Sequence, residues 1–262
     1  MLARNPLIER LRAGQTALGL SLRLATSPNV AQMAATCGFH WLFIDLEHGP
    51  MAYDTACMMM DAGLRAGVTP IVRVPGHDAS DANRALTNGA LGILYPHVDT
   101  ADQALACART ARFAPDGIRG VPAVFPQLGF DKPSLADAVT TLNAITCVIV
   151  MIESAAAVHN AGKIAAQPGV DALFVGASDL SVEMGRPGDY QAPAMREALD
   201  HVAAAARAQG RFAGLGGIGD LALLGRLVES GYQMLLAGND LDFFMQGARA
   251  RAGALNELDR RS

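Results

Sequence analysis

The chain has 262 residues, of which 51% are hydrophobic and 18% charged, with a net charge of −4 and a pI near 5.8. That apolar content can build a full core, which excludes a disordered chain. A mildly acidic chain with no basic run offers no electrostatic grip on nucleic acid or on an anionic membrane surface.

The opening segment, MLARNPLIERLRAG, has no long apolar run and no small-residue cleavage site, so no secretory leader is expected and the expected location is the cytoplasm. Eight short apolar runs then alternate with longer helical patterns. Read as strands, the runs cover 17–22, 41–45, 70–74, 92–96, 147–153, 172–175, 212–215 and 233–237. They are mostly apolar and often β-branched, as parallel strands buried on both faces should be. The helical patterns cover 28–37, 54–65, 79–88, 100–113, 155–166, 194–209, 220–230 and 241–256. The first of these starts with Ser27 as N-cap and Pro28 at the first helical position. Those over 194–209 and 220–230 stop at Gly210 and Gly231. Between the fourth helix and the fifth strand lies a long excursion, 114–146, with four prolines and three glycines in its first twenty residues, which reads as an ordered lid or binding loop.

Eight strands alternating with eight helices predict an α/β protein of the (β/α)8 TIM-barrel type, with a doubly wound open sheet as the structural alternative. No linker or low-complexity tract divides the chain, so one domain is expected over residues 1–262. No stretch reaches the roughly 18 apolar residues of a membrane span. Cys37, Cys57, Cys107 and Cys147 lie far apart without a CxxC pair, so a zinc site or disulfide framework is not expected; each reads as a small buried hydrophobe.

Barrel active sites sit at the carboxyl ends of the strands. The polar residues there are Asp45, Glu47 and His48 after the second run, Arg73 in the third, His97 after the fourth, Glu153 closing the fifth and Asp179 after the sixth. Glu153 and Asp179 suit a hard cation such as Mg2+ or Mn2+; the competing reading pairs one with a cation and makes the other a helix cap. Asp45 stands three residues before His48 and could orient its imidazole as a general base, against a purely structural histidine. Glu47 reads as a helix-terminus or subunit contact. Arg73 needs an anion, either a substrate carboxylate or enolate oxygen, or a structural carboxylate. The backbone N–H groups of Gly176, Ala177 and Ser178 precede a short helical turn and could hold a carboxylate. The glycines at 214, 216, 217 and 219 match a dinucleotide fingerprint only loosely and read better as a tight loop closing the barrel.

The segments WLFIDLEHGP (41–50), PIVRVPG (70–76), GALGILYPHV (89–98), RFAPDGIRG (112–120), MIES (151–154) and GVDALFVGASDLSVEMG (169–185) together resemble the HpcH/HpaI aldolase family. The resemblance covers most of the chain. It implies a TIM barrel of the phosphoenolpyruvate/pyruvate type that uses a divalent metal (Mg2+, Mn2+ or Co2+) to cleave a 4-hydroxy-2-oxo acid to pyruvate and an aldehyde, or to run the reverse addition, in aromatic or sugar-acid catabolism. By the same resemblance the metal ligands are Glu153 and Asp179, the base is His48 with Asp45 as its partner, and Arg73 binds the enolate and carboxylate. Gly176, Ala177 and Ser178 hold the pyruvate carboxylate. A homohexamer is implied, a trimer of dimers exchanging the last helix, to which Leu241, Phe243, Phe244 and Met245 are suited. Three positions depart from the common pattern. Met151 stands where an amide is usual, Thr87 where an aspartate often reaches a neighbouring subunit, and Gln127 near the place of an arginine that greets acidic acceptors. The last suggests a less acidic or more apolar acceptor. The rival readings are a CoA-ester lyase of the citrate-lyase β type and a non-catalytic barrel that binds a small acid; a macrophomate-synthase-like decarboxylation of oxaloacetate lies closer to the aldolase reading, as a side activity.

Overall fold

The computed structural model describes residues 4–259. Its strands are β1 (Ala17–Leu22), β2 (Trp41–Asp45), β3 (Thr69–Arg73), β4 (Gly92–Tyr95), β5 (Cys147–Ile152), β6 (Ala172–Gly176), β7 (Phe212–Gly216) and β8 (Tyr232–Asn239). All pair in parallel with their chain neighbours, and β8 returns to β1 to close the barrel. The open-sheet alternative is thereby excluded.

The alternation along each strand divides the core in two. Trp41, Phe43, Ile71, Leu94, Ile149, Met151, Phe174 and Met234 fill the barrel interior. Leu42, Ile44, Val72, Ile93, Tyr95, Val148, Val150, Leu173 and Val175 face the surrounding helices. This is the period of two expected of side chains on a pleated strand. Gly19 makes room for the largest interior ring: a Cβ there would lie 2.2 Å from Trp41.

The helices are α1 (Pro6–Arg12), α2 (Asn29–Thr36), α3 (Tyr53–Ala66), α4 (Ala79–Thr87), α5 (Ala101–Thr110), α6 (Leu135–Ile145), α7 (Ala155–Ala165), α8 (Ala177–Glu183), α9 (Pro193–Ala208), α10 (Leu221–Ser230) and α11 (Asp240–Asp259). The eight expected helices are present, with ends shifted by a few residues. α2 starts one residue late, with Pro28 in the cap position and the Ser27 hydroxyl accepting from Asn29 N–H at 3.4 Å. The short turn expected after β6 is α8.

Two helices were not expected. α6 lies inside the excursion read as a loop; the prolines and glycines that dominate its first half end before Ser134, whose side chain caps the helix by accepting from Asp137 N–H. α1 closes the amino-terminal end of the barrel. Its Leu7, Ile8 and Leu11 pack into the interior cluster, and the Asn5 amide donates to the carbonyls of Leu91 and Ile145. With that end plugged, the carboxyl-terminal end is the open one. Cys107 and Cys147 are buried as expected, whereas Cys37 is exposed; none forms a disulfide. No helix among the described residues is long and apolar enough to cross a membrane.

Candidate active site

β2 and β3 deliver the first pair of charges. Asp45 and Arg73 are register partners at the ends of adjacent strands, so both side chains turn the same way. Arg73 Nε lies 2.9 Å from Asp45 Oδ1, and Nη2 lies 2.7 Å from Oδ2. This two-pronged geometry is the one a guanidinium and a carboxylate form most strongly. Asp45 Oδ1 also accepts the backbone N–H groups of Glu47 and His48 at 3.1 and 3.2 Å. Burial pushes the Asp45 carboxyl up, but the Arg73 guanidinium and these two N–H groups outweigh it and hold the carboxyl below its ordinary range.

This corrects one expectation. Asp45 grips the backbone of His48 and the side chain of Arg73; it does not orient the His48 ring. The carboxylate nearest that ring is Glu47, with Oε2 3.8 Å from His48 Nε2. The His48 side chain is itself 61% exposed at the mouth of the barrel.

Glu47 belongs to the same cluster, although it was read as a helix-terminus or subunit contact. Its Oε2 is 3.0 Å from Arg73 Nη1 and its Oε1 is 3.2 Å from His97 Nε2. Oε2 is buried, and its contact with Arg73 is an ion pair without an aligned hydrogen bond. His97 bridges to the next carboxylate. It stands just after β4 with φ at +54°, a conformation that side chains other than glycine seldom adopt. Its backbone N–H donates to Glu153 Oε2 at 3.1 Å, and its Nδ1 lies 3.3 Å from the same oxygen. Glu47 and His97 obey the same rule as the residues singled out from the sequence, standing within two positions of a strand end. That rule identified them as rim residues but assigned them no part in the site.

Glu153 directly follows β5 and Asp179 lies in the first turn of α8 after β6. Glu153 is 6% exposed, and Asp179 is exposed. Burial pushes the Glu153 carboxyl above its ordinary range; His97 and Arg73 oppose the shift and the nearby Asp179 charge adds to it. Gly176 stands between Glu153 and the barrel mouth: a Cβ at this position would lie 2.5 Å from Glu153 Oε1. Only glycine leaves room for that oxygen.

The cavity holds about 560 Å³. Asp45, Arg73, Ala177, Ser178 and Asp179 line it, with Phe43, Met151 and Phe174 as an apolar floor. Met151 thus faces the site where an amide was noted as usual. Gly216, Gly217 and Gly219 form part of the wall, in keeping with a tight loop rather than a nucleotide fingerprint.

Gln127 is elsewhere. Its amide donates to the carbonyls of Leu86 and Ala90, at the amino-terminal end of β4, and it lines a separate hollow with Val68 and Thr69. In this chain Gln127 therefore does not touch the cavity, and its neutrality carries no information about what the cavity accepts. Thr87, the last residue of α4, lies at that same end.

The residues fit a hard divalent cation. Glu153 and Asp179 are both oxygen donors, their charges repel one another, and Gly176 makes room for the Glu153 carboxylate. Among the described residues no group of three or more His, Cys, Asp or Glu side chains is arranged to hold a metal ion, so water and substrate oxygens would complete the coordination, as is usual for Mg2+.

Comparison with known proteins gives a consistent result. The model of the family described as HpcH/HpaI aldolase/citrate lyase matches residues 22–246. A 4-hydroxy-4-methyl-2-oxoglutarate aldolase from Chaetomium globosum is 41% identical over 82% of this chain and 80% of its own length. A 4-hydroxy-2-oxo-heptane-1,7-dioate aldolase from Salmonella arizonae is 33% identical over 95% of this chain and 94% of its own. The crystal structure of an HpcH/HpaI aldolase from Desulfitobacterium hafniense superposes with a TM-score of 0.90 at 30% identity, covering 96% of both chains.

Proposed function

The chain belongs to the HpcH/HpaI aldolase/citrate lyase family, and from that premise we propose that it cleaves a 4-hydroxy-2-oxo acid to pyruvate and a carbonyl compound, or runs the reverse addition, at the open end of its barrel. The observation that carries this reading is that Arg73, Asp179 and the Gly176–Ser178 backbone line one cavity, with the Glu153 carboxylate packed against Gly176.

Glu153 and Asp179 would hold a divalent cation, Mg2+, Mn2+ or Co2+. When bound, that cation supplies Lewis-acid charge to the 2-oxo acid end of the substrate. The protein's own groups do the rest. The Arg73 guanidinium, kept in place by Asp45 and Glu47, offers positive charge to the keto oxygen, where negative charge collects as the bond breaks. The backbone N–H groups of Ala177 and Ser178 at the start of α8 would donate to the substrate carboxylate, and no side-chain cap competes for them. In cleavage, the His48 imidazole takes the proton of the C4 hydroxyl. The O–H electrons form the new C=O bond, and the C3–C4 pair moves onto the 2-oxo group as an enolate. A proton returned to C3 gives pyruvate. Phe43, Met151 and Phe174 keep the floor of the site dry, which strengthens these interactions.

Exchange of pyruvate methyl protons for deuterium, followed by NMR, tests the donor half of this reaction without knowledge of the acceptor. The expected result is exchange with Mg2+, Mn2+ or Co2+, its loss on adding EDTA and its return on adding metal again. A folded, metal-supplied protein that exchanges no protons would remove the pyruvate reading.

The assembly we propose is a hexamer, a trimer of dimers that exchange α11. This twenty-residue helix leaves the barrel with Phe243 and Phe244 exposed at 42% and 61% and Leu255 at 47%, more apolar surface than a monomer usually presents on one element. Light scattering on the purified protein is expected to give six times the 27.3 kDa chain mass, and Phe244→Asp a smaller particle. A wild-type monomer would refute the exchange.

A further inference from the structure

We infer that Arg23 selects the acceptor: its guanidinium receives a carboxylate on the carbonyl compound released from C4, so the preferred acceptors are anionic, such as a semialdehyde acid or a second 2-oxo acid. The inference rests on the aldolase reading above and adds the substrate class to it.

Arg23 is the first residue beyond β1 and lines the active-site cavity. Its backbone is held firmly. The N–H groups of Arg23 and Ala25 donate to the Asp240 carboxylate at 2.8 and 2.7 Å, and that of Leu24 reaches both oxygens at 3.0 Å. The side chain, by contrast, is uncommitted. It is 40% exposed, its nearest anion is Asp45 Oδ2 at 3.7 Å, and its guanidinium makes no hydrogen bond among the described residues. Asp45 is already engaged by Arg73 through both oxygens at 2.9 and 2.7 Å. A guanidinium fixed at its root, free at its tip and facing a cavity is suited to a planar anion that can pair with two of its N–H groups.

Position assigns this anion to the acceptor. In a ring of eight strands taken in order, β1 stands opposite β5, which carries Glu153. A substrate held at its 2-oxo acid end by Glu153, Asp179 and Arg73 therefore extends its far end across the mouth towards β1. The wall on the way is backbone: Gly216, Gly217, Gly219 and Gly238 contribute no side chains to block it. The remaining charges at that side are the carboxylates of Asp45, Asp240 and Asp242. Without Arg23 they would repel an acidic acceptor; with it, the far end of the cavity carries a cation that a neutral aldehyde cannot use. The expectation of a neutral acceptor depended on Gln127, which is at the other end of the barrel.

Succinic semialdehyde and butanal make a suitable pair, since both present an aldehyde on a four-carbon chain and differ in the terminal carboxylate. With pyruvate as donor and Mn2+ present, kcat/KM is measured for each acceptor with the wild type, Arg23→Met and Arg23→Lys. The wild type is expected to prefer succinic semialdehyde. Arg23→Met is expected to lower the ratio of the two kcat/KM values roughly 10- to 100-fold, the worth of a hydrogen-bonded charge pair, chiefly through KM. Arg23→Lys, which keeps the charge and loses the fork, is expected to fall between. A wild type with no preference, or a ratio in Arg23→Met within about threefold of wild type, would overturn the inference. Pyruvate proton exchange in the wild type separates the two failures: exchange with an unchanged ratio sinks the role of Arg23 alone, and no exchange sinks the aldolase reading beneath it.

Discussion

Glu153→Gln is expected to abolish measurable pyruvate proton exchange, lowering kcat by a factor on the order of 10³, while leaving the protein as stable as before or more so. The two halves of this result have one cause. Glu153 is buried, and burial together with the neighbouring Asp179 charge pushes its carboxyl above the ordinary range. An ionised carboxylate there works against the fold, and a neutral amide of the same shape relieves that cost. The amide oxygen can still accept the His97 N–H, so the turn after β4 keeps its partner. The lost negative charge weakens the hold on a divalent cation. Proton exchange by NMR checks the first half, with calorimetric melting for the second and Mn2+ titration for the cause. A variant that exchanges at the wild-type rate would strip Glu153 of its proposed role.

Arg73→Met is expected to destabilise the fold by about 3–5 kcal/mol near neutral pH as well as to impair the reaction. Its guanidinium lies between Asp45, whose side chain is 1% exposed, and Glu47, at 9%. Removing it strands two buried carboxylates. The pH dependence distinguishes this cause from lost packing. In the wild type the Asp45 carboxyl is held below its ordinary value. It therefore contributes stability that is present above the unfolded pKa of about 3.9 and is lost as pH falls through the lower folded pKa. In Arg73→Met the largest opposition to burial is gone and only the two backbone N–H groups and the more distant Arg23 still counter it, so that pKa rises and the variant gains stability relative to wild type as acid neutralises the group. The difference in melting temperature is expected to be large at pH 7 and to shrink towards pH 4. A gap that stays constant across this range would point to packing alone.

Much of the molecule was legible beforehand because the physics involved is local. A buried parallel strand needs a short apolar run, a helix needs caps and a period near 3.6, and a barrel places polar residues just beyond its strands. Those rules located all eight strands and brought Asp45, Arg73, Glu153, Asp179 and Gly176 to one rim. The same rule applied to the first strand would have added Arg23, which directly follows Leu22. α6 also had a local signal, Ser134 with Asp137 three residues on, obscured by the prolines and glycines before it.

By itself, then, the sequence determined the barrel, the end at which its charged residues gather and the family to which the chain belongs. Only the tertiary structure decided which charge meets which. Asp45 is three residues from His48 and 28 from Arg73, yet its side chain goes to Arg73, because strand register sets the two opposite each other and the turn after β2 uses the backbone, not the ring, of His48. Likewise, His97 joins Glu47 to Glu153 through a left-handed backbone at a strand end, and Gln127 folds back to the far end of the barrel. Pairings of this kind depend on the register of strands distant in sequence. A shift of one residue would turn each side chain to the opposite face, and no local pattern records it.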